Sequence, residues 1–395
     1  MKVNVENLGS LLDGPLEPEL IDKLRCLVER KIPVLAEEIK KSHADHAATL
    51  ATKLLANMAN RLLQDNAIDL PLLNCCLNLQ EVCAKLGPQG DSAKLLRQAK
   101  GEVSAAIKAL SQKKGTLEKF QSELHLVREE TIPATGDFSV TVFSQHDRSL
   151  AAAYIMTHLI KNGIKISLVV TQKRFSKGAV RQEFHLGMYR TLRRRFTKAA
   201  EKIKRKIIPE KGYTEIRDVA ASEGISNDVQ GLCEANGIPV VYVQGFNSQE
   251  CHQALSEHPT EFGLYLGKQI VKKSTIRHFS TGVVHSHPGR IPLYRGMDCV
   301  EWALIQEERS HIGSSVQLMT PKLDAGPVLD FETLPTQPGW SVNVIRSRVL
   351  YQGISKVINF FTNITESECL CRYYDPTYGR QYYRMRPEIR RNIET

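Results

Sequence analysis

From Ser139 onward, apolar runs of strand length alternate with stretches of helix length, and this alternation constrains the fold more than any other feature of the chain. Ser139–Ser144 (SVTVFS) and Lys165–Thr171 (KISLVVT) are predicted strands, with a helix over Leu150–Lys161 between them. A helix over Asp228–Ala235 ends at Gly237. It is followed by a strand over Ile238–Val243, a helix over Gln249–Glu257, and strands over Phe262–Leu266 and Gly282–His287. Strands joined through helices pair in parallel and are covered on both faces. The expected class is therefore α/β, with a parallel-rich twisted sheet. Ligands of such sheets bind beyond the carboxyl ends of the strands. That places the turns after Ser144 and Val243, and His285 and His287, near the expected site.

At 395 residues the chain is long enough for two or three domains. Residues 1–132 read as an all-helical unit. Apolar positions recur over 18–41, Ala and Leu dominate Asp45–Leu63, and further helices are expected over Leu70–Leu86 and Ser92–Leu124. Gly87-Pro88 and Gly115 are the expected breaks. This unit shows no chemistry of its own; the His43/His46 pair lacks a third ligand, and the unit reads as either an oligomerisation or a partner domain. The α/β domain is expected over 133–338. Residues 339–395 follow as a helix over Val342–Thr365 and a Tyr/Arg-rich tail, packed on the α/β domain. No apolar run reaches membrane-spanning length, and the N-terminus lacks the apolar core of a signal peptide, so the expected address is cytoplasmic. Nine scattered cysteines without a CxxC pair read as reduced and structural.

The net charge of +10 is concentrated in one segment. Thr171–Tyr213 holds 14 Lys/Arg against 3 Glu. A helix is predicted over Arg181–Ile207, with Met188, Leu192, Phe196, Ala199, Ile203 and Ile207 on one face and basic residues on the rest. Its basic side is either simply solvated or a contact for phosphate groups or an anionic surface. Nothing nearby supplies interleaved aromatics, which argues against nucleic acid. Neither GxGxxG nor a Walker loop follows the first strand, which disfavours nicotinamide and ATP chemistry.

The chemistry-bearing stretch is His285–Leu329. His285 and His287 lie two apart at a strand end, so their side chains leave one face together. Asp324 sits in a Leu-Asp-Ala-Gly-Pro turn, and a carboxylate so placed can orient a histidine. Cys299 opens a predicted helix over Cys299–Glu308, but no residue reads as its base. His146-Asp147-Arg148, after the first strand, could touch an anionic substrate or simply start a helix.

His287-Pro288-Gly289, Pro292, Tyr294-Arg295-Gly296 and Leu323-Asp324-Ala325-Gly326-Pro327 occur in order and at the spacing of one family's signature. On these residues the chain resembles the folate-dependent formyltransferases, over about residues 138–335. The resemblance implies a Rossmann-like domain that uses 10-formyltetrahydrofolate and transfers its formyl group to an amine. It implies that His287 is oxyanion donor and acid/base, that Asp324 is its partner, and that Gln269, Ile270, Val271 and Leu323 hold the pterin. Arg148 and Arg295 are the candidate substrate contacts, and no resident metal is expected.

The family's Asn falls on His285. Three readings stay open: His285 replaces the amide as a donor; the protein is catalytically impaired and serves as a binding or regulatory protein; or His285, His287 and Asp324 hold a metal. A 10-formyltetrahydrofolate hydrolase, with water in place of the amine, is a further alternative. The family's tRNA-directed members carry a barrel-like domain after this point. None is legible in 339–395, so the expected acceptor is an amine on a small phosphorylated or nucleotide-linked molecule.

Overall fold

The computed structural model describes residues 44–62, 67–112, 116–117, 123–172 and 216–393. The predicted helices over 18–41 and Arg181–Ile207 lie outside these residues. The chain divides into two compact units. One holds the N-terminal segment to Gln121 together with Tyr382–Glu394; the other spans Ser122–Gln381.

In the first unit α1 (Ala44–Ala59), α2 (Leu70–Leu86) and α3 (Gly90–Ser111) pack around Leu54, Leu55, Met58, Leu73, Cys76 and Leu79, all at most 1% exposed. Two short strands, β1 (Ala67–Ile68) and β2 (Thr116–Leu117), pair in parallel beside them. Asp69 caps α2 by accepting from Leu72 N at 2.9 Å, and left-handed Gly87 ends it. Helix α3 stops at Ser111, before the expected break at Gly115, and Thr116–Leu117, within the stretch read as helical to Leu124, is a strand.

The tail divides differently from the expectation. Cys369–Tyr374 joins the sheet of the second unit, whereas Tyr382–Glu394 groups with the helices. A buried amide explains the latter. Asn74, 1% exposed, donates from Nδ2 to Arg384 O at 3.2 Å and accepts from Arg386 N at 2.7 Å. Arg386 Nη1 also donates to Glu81 at 2.8 Å. Asn74→Ala would strand both main-chain groups and is expected to cost about 2 kcal/mol. The checks are urea denaturation and tryptic cleavage after Arg384 or Arg386; unchanged stability and unchanged cleavage would sink the assignment.

The second unit carries a nine-stranded sheet. Its strands are β3 (Leu126–Ile132), β4 (Ser139–Ser144), β5 (Lys165–Thr171), β6 (Val240–Tyr242), β7 (Thr260–Leu266), β8 (Phe279–His287), β10 (Gly313–Leu318), β11 (Val328–Thr333) and β12 (Cys369–Tyr374), in the order β3-β12-β11-β10-β8-β7-β4-β5-β6. A short strand, β9 (Tyr294–Gly296), lies outside this sheet. Strands β4 to β8 pair in parallel, as the alternation predicts. From β8 outward the pairing is antiparallel, through β10, β11 and β12 to β3. Strand β8 is thus the seam between the two halves.

Helices α4 (Leu150–Lys161) and α10 (Val342–Asn363) cover one face, where Val140, Val142, Ile155, Leu159, Phe262, Val284 and Phe361 form a core. Helix α7 (Gln249–Glu257) covers the other through Leu255, with Phe143, Leu168, Val170 and Val283. Between these lie α5 (Ile216–Ser222), α6 (Val229–Ala235), the one-turn α8 (Lys273–Ile276) and α9 (Cys299–Ile305). Ser149 and Ser341 cap α4 and α10 through the N–H groups of Ala152 and Val344. Helix α9 ends three residues before the expected Glu308, because Glu307 is left-handed (φ 60°). Among the described residues every cysteine is a free thiol, and no helix is long and apolar enough to cross a membrane.

Candidate active site

Both His285 and His287 project from the carboxyl end of β8 on one side of the seam. The antiparallel neighbour β10 sets Gln317 opposite His285 and Ser315 opposite His287. The loop from β10 to β11 then returns Asp324 to His287, with Oδ2 3.5 Å from Nδ1. The three chemistry-bearing residues expected from sequence therefore form one cluster.

Asp324 is held in a left-handed conformation (φ 44°), uncommon for a non-glycine residue. Its oxygens account for that. Oδ2 accepts from Gly296 N at 3.0 Å, and Oδ1 accepts from Gln317 Nε2 at 3.2 Å. Gln317, 2% exposed, also accepts from Gly326 N at 3.2 Å. One buried amide thus fixes both the carboxylate and the turn that carries it. A Cβ on Gly326 would lie far inside van der Waals contact of Leu318 O, so this turn needs glycine.

The imidazole of His287 is 3% exposed. Nε2 lies 2.9 Å from Tyr294 O, which can only accept, so Nε2 carries hydrogen. Its Nδ1 faces the Asp324 carboxylate. Tyr294 is itself fixed, its hydroxyl donating to Glu308 Oε2 at 2.7 Å. Cys299 Sγ lies 3.4 Å from His287 Nε2, but burial, with the nearby Asp324, pushes the thiol well above its ordinary value. That favours a packed thiol over a nucleophile.

His285 is half-buried and oriented by the main chain of β7. Nδ1 lies 2.9 Å from Tyr265 O, and the Tyr265 ring meets the imidazole edge-on at 5.6 Å. Burial pushes the His285 imidazole below its ordinary value; Asp324 and the Tyr265 carbonyl oppose that shift, and His287 adds to it.

His285 opens onto a cleft of about 440 Å³ beyond the ends of β7 and β8. Ala151 and Ile155 of α4 and Ile216 of α5 form one side. Helix α10 forms the other with Asn343, Ser347, Leu350 and Ile354, spaced three and four residues apart. Arg346 also lines the cleft and pairs with Glu301, which is 1% exposed, and with Asp298 at 3.5 Å. The volume falls within the roughly 300–1,000 Å³ of small-molecule sites.

The other expected residues are placed as follows. Gln269 accepts from Phe246 N at 3.3 Å through Oε1 and from the Tyr265 hydroxyl at 2.6 Å through its carbonyl. Ile270 is 62% exposed, Val271 is buried and Leu323 is half-buried beside Asp324. Arg148 is exposed at the end of β4. Arg295 is not available to a substrate. It is 7% exposed and donates to Pro292 O, Pro376 O and Gly379 O, each at 3.3 Å, as a structural clamp. Gln317, Tyr265 and Arg346 were not singled out by the sequence, and Tyr294 stood only as a residue of the signature, without a role. Only the register opposite His285 could have pointed to Gln317. No group of three or more His, Cys, Asp and Glu among the described residues could hold a metal ion.

The family described as Formyl transferase matches residues 139–359. The methionyl-tRNA formyltransferase of Rhodopirellula baltica is 32% identical over 127 residues, covering 32% of this chain and 38% of that protein. The methionyl-tRNA formyltransferase of Thermotoga neapolitana is 25% identical over 232 residues, covering 57% of this chain and 59% of that protein. The chain therefore spans less than two thirds of the length of these relatives. Among solved structures, a phosphoribosylglycinamide formyltransferase from Bacillus halodurans is similar over 58% of this chain and 95% of its own, at 14% identity and a TM-score of 0.38. Because the family match runs from the first parallel strand through the seam and the Asp324 loop into α10, over more than half of the chain, this protein belongs to the formyl transferase family.

Proposed function

We propose that the protein transfers the formyl group of 10-formyltetrahydrofolate to a primary amine on a small phosphorylated or nucleotide-linked acceptor. The observation that carries this reading is the His285, His287 and Asp324 cluster beside an open cleft at the carboxyl ends of β7 and β8. The folate fits the residues present: a mainly apolar cleft leads to a bare imidazole nitrogen and to a histidine–carboxylate pair. When bound, the folate supplies a formyl carbon whose bond to N10 breaks as a bond to the acceptor nitrogen forms.

The turn Gln269–Val271 and Leu323 are the residues proposed to hold the pterin. Tyr265 ties that turn in place through its hydroxyl. His287 and Asp324 are proposed to sit beside the reacting atoms, and Gly296 and Gln317 keep the carboxylate aimed. The α10 face, with Arg346, and the exposed Arg148 are proposed to take the acceptor. The 14 basic residues between Thr171 and Tyr213 favour an anionic one. The N-terminal helical unit is proposed to serve in self-association, and the chain is expected to work in the cytoplasm.

The test is to incubate purified protein with 10-formyltetrahydrofolate, with and without phosphorylated amines, and to follow tetrahydrofolate release. Release that needs an amine supports the transferase. Release without an amine indicates the hydrolase, and binding without release indicates a regulatory protein. Reversing the charge of Arg193, Arg194 and Arg195 is expected to raise the acceptor KM about tenfold; an unchanged KM would rule out the anionic acceptor.

A further inference from the structure

We propose that His285 acts as the proton acceptor for the attacking amine, not as a hydrogen-bond donor in place of the family's asparagine. This rests on the transferase reading above and assigns a specific step to one ring nitrogen.

The argument begins at a carbonyl. Tyr265 O has no hydrogen to give, so the contact with His285 Nδ1 at 2.9 Å exists only when Nδ1 carries the hydrogen. A neutral imidazole protonated at Nδ1 has a lone pair at Nε2. Among the described residues no hydrogen-bond partner takes that lone pair, and the ring lines the cleft. An amide at this position could offer an N–H to a developing negative oxygen. The neutral His285 ring cannot, because its one N–H is held by β7. What it presents to a ligand is an acceptor, and an incoming amine carries N–H groups that match it.

Both the backbone and the neighbours keep that form. Tyr265 is held in β7 by its pairing with Phe143 of β4, so turning the ring over would break the bond at Nδ1. The titratable groups around His285 are Tyr265 on β7, His287 on β8, Asp324 on the β10–β11 loop, and Arg346 and Tyr351 across the cleft on α10. Burial outweighs the attraction of Asp324 and so favours the neutral ring.

The step balances. The amine nitrogen bonds to the formyl carbon and gives one proton to His285 Nε2. The bond from that carbon to N10 breaks, and N10 leaves with one proton, which resets the ring. No oxidant or further reactant is needed. A base is useful only while unprotonated, so activity is present above the folded-state value of His285 and is lost as pH falls through it. That value lies below 6.5.

Two measurements test the proposal. Nitrogen NMR of 15N-histidine-labelled protein, with His285 assigned by difference against His285→Asn, reads the tautomer without any turnover. The expected ring has hydrogen on Nδ1 and a bare Nε2. The pH profile of kcat/KM is then compared between wild type and His285→Asn. Wild type is expected to show an acid limb with its midpoint below pH 6.5, and the variant to lose that limb together with about 100-fold in rate at neutral pH. Hydrogen on Nε2, a limb that survives in the variant, or a variant as fast as wild type would each overturn the base role. A bare Nε2 in a wild type that never turns over would instead overturn the transferase reading, and the base role with it.

Discussion

His287→Ala is expected to lower formyl transfer by about 100-fold or more at saturating folate, the loss typical of removing a preorganised polar group from a transition state. The side chain is 3% exposed, so the substitution also leaves Tyr294 O without its donor. That should cost about 1–3 kcal/mol of stability and must be separated from the rate loss. Asp324→Asn separates them. It keeps an oxygen for the Gly296 N–H while removing the charge that faces His287 Nδ1. If the pair acts as a proton-holding unit, the two variants and their double mutant should lose similar factors, because members of one unit are strongly non-additive. A fall of less than tenfold in either variant, with the fold intact by near-UV circular dichroism, would remove the pair from the chemistry.

Gly326→Ala is expected to be the most damaging single-methyl change in the second unit. The added carbon would run into the Leu318 carbonyl, a main-chain atom that cannot swing aside. Relief requires moving the loop, which breaks the Gly326 N–H to Gln317 bond and with it the amide that aims Asp324. A loss of about 3 kcal/mol is expected, read as a lower urea midpoint, with a rate loss that persists at temperatures where the variant is fully folded. Gln317→Leu should reproduce the rate loss without the clash. A Gly326→Ala protein with wild-type stability and wild-type rate would show that the turn relaxes at no cost.

The parallel half of the sheet was legible because β4, β5 and β7 are largely buried on both faces and read as apolar runs. Strands β4 and β5 and helices α2, α4 and α7 fall at the expected residues. The opposite edge was not legible, for a physical reason. Strand β3 is Leu-Val-Arg-Glu-Glu-Thr-Ile, with six exposed residues and one half-buried, so no burial pattern marks it. It exists because β12 pairs with it and Arg372 meets Glu129 at 2.9 Å, a pairing between residues 243 positions apart. Likewise the signature exposed His287 and Asp324, but not the groups that orient them. Tyr265 and Tyr294 act on the two histidines through main-chain carbonyls, which every residue possesses, so no residue type could have signalled them. Arg295 misled for a related reason: within a motif it reads as a ligand contact, whereas the loop carbonyls of Pro292, Pro376 and Gly379 claim it.

The Asn74 amide that binds Arg384 and Arg386 has a consequence for synthesis. The helical unit draws its earlier piece from before the sheet unit, but its last piece, Tyr382–Glu394, emerges only after about 260 further residues. At roughly 5–20 residues per second that interval is on the order of 10–50 s. During it the polar edge of Asn74 and the apolar sites for Met385 and Ile389 stand open on the nascent chain, while the sheet unit can complete itself within its own continuous stretch. Of the two units, the one that begins earlier therefore finishes later, and a truncation just before Tyr382 would spare the sheet and leave the helices unsealed.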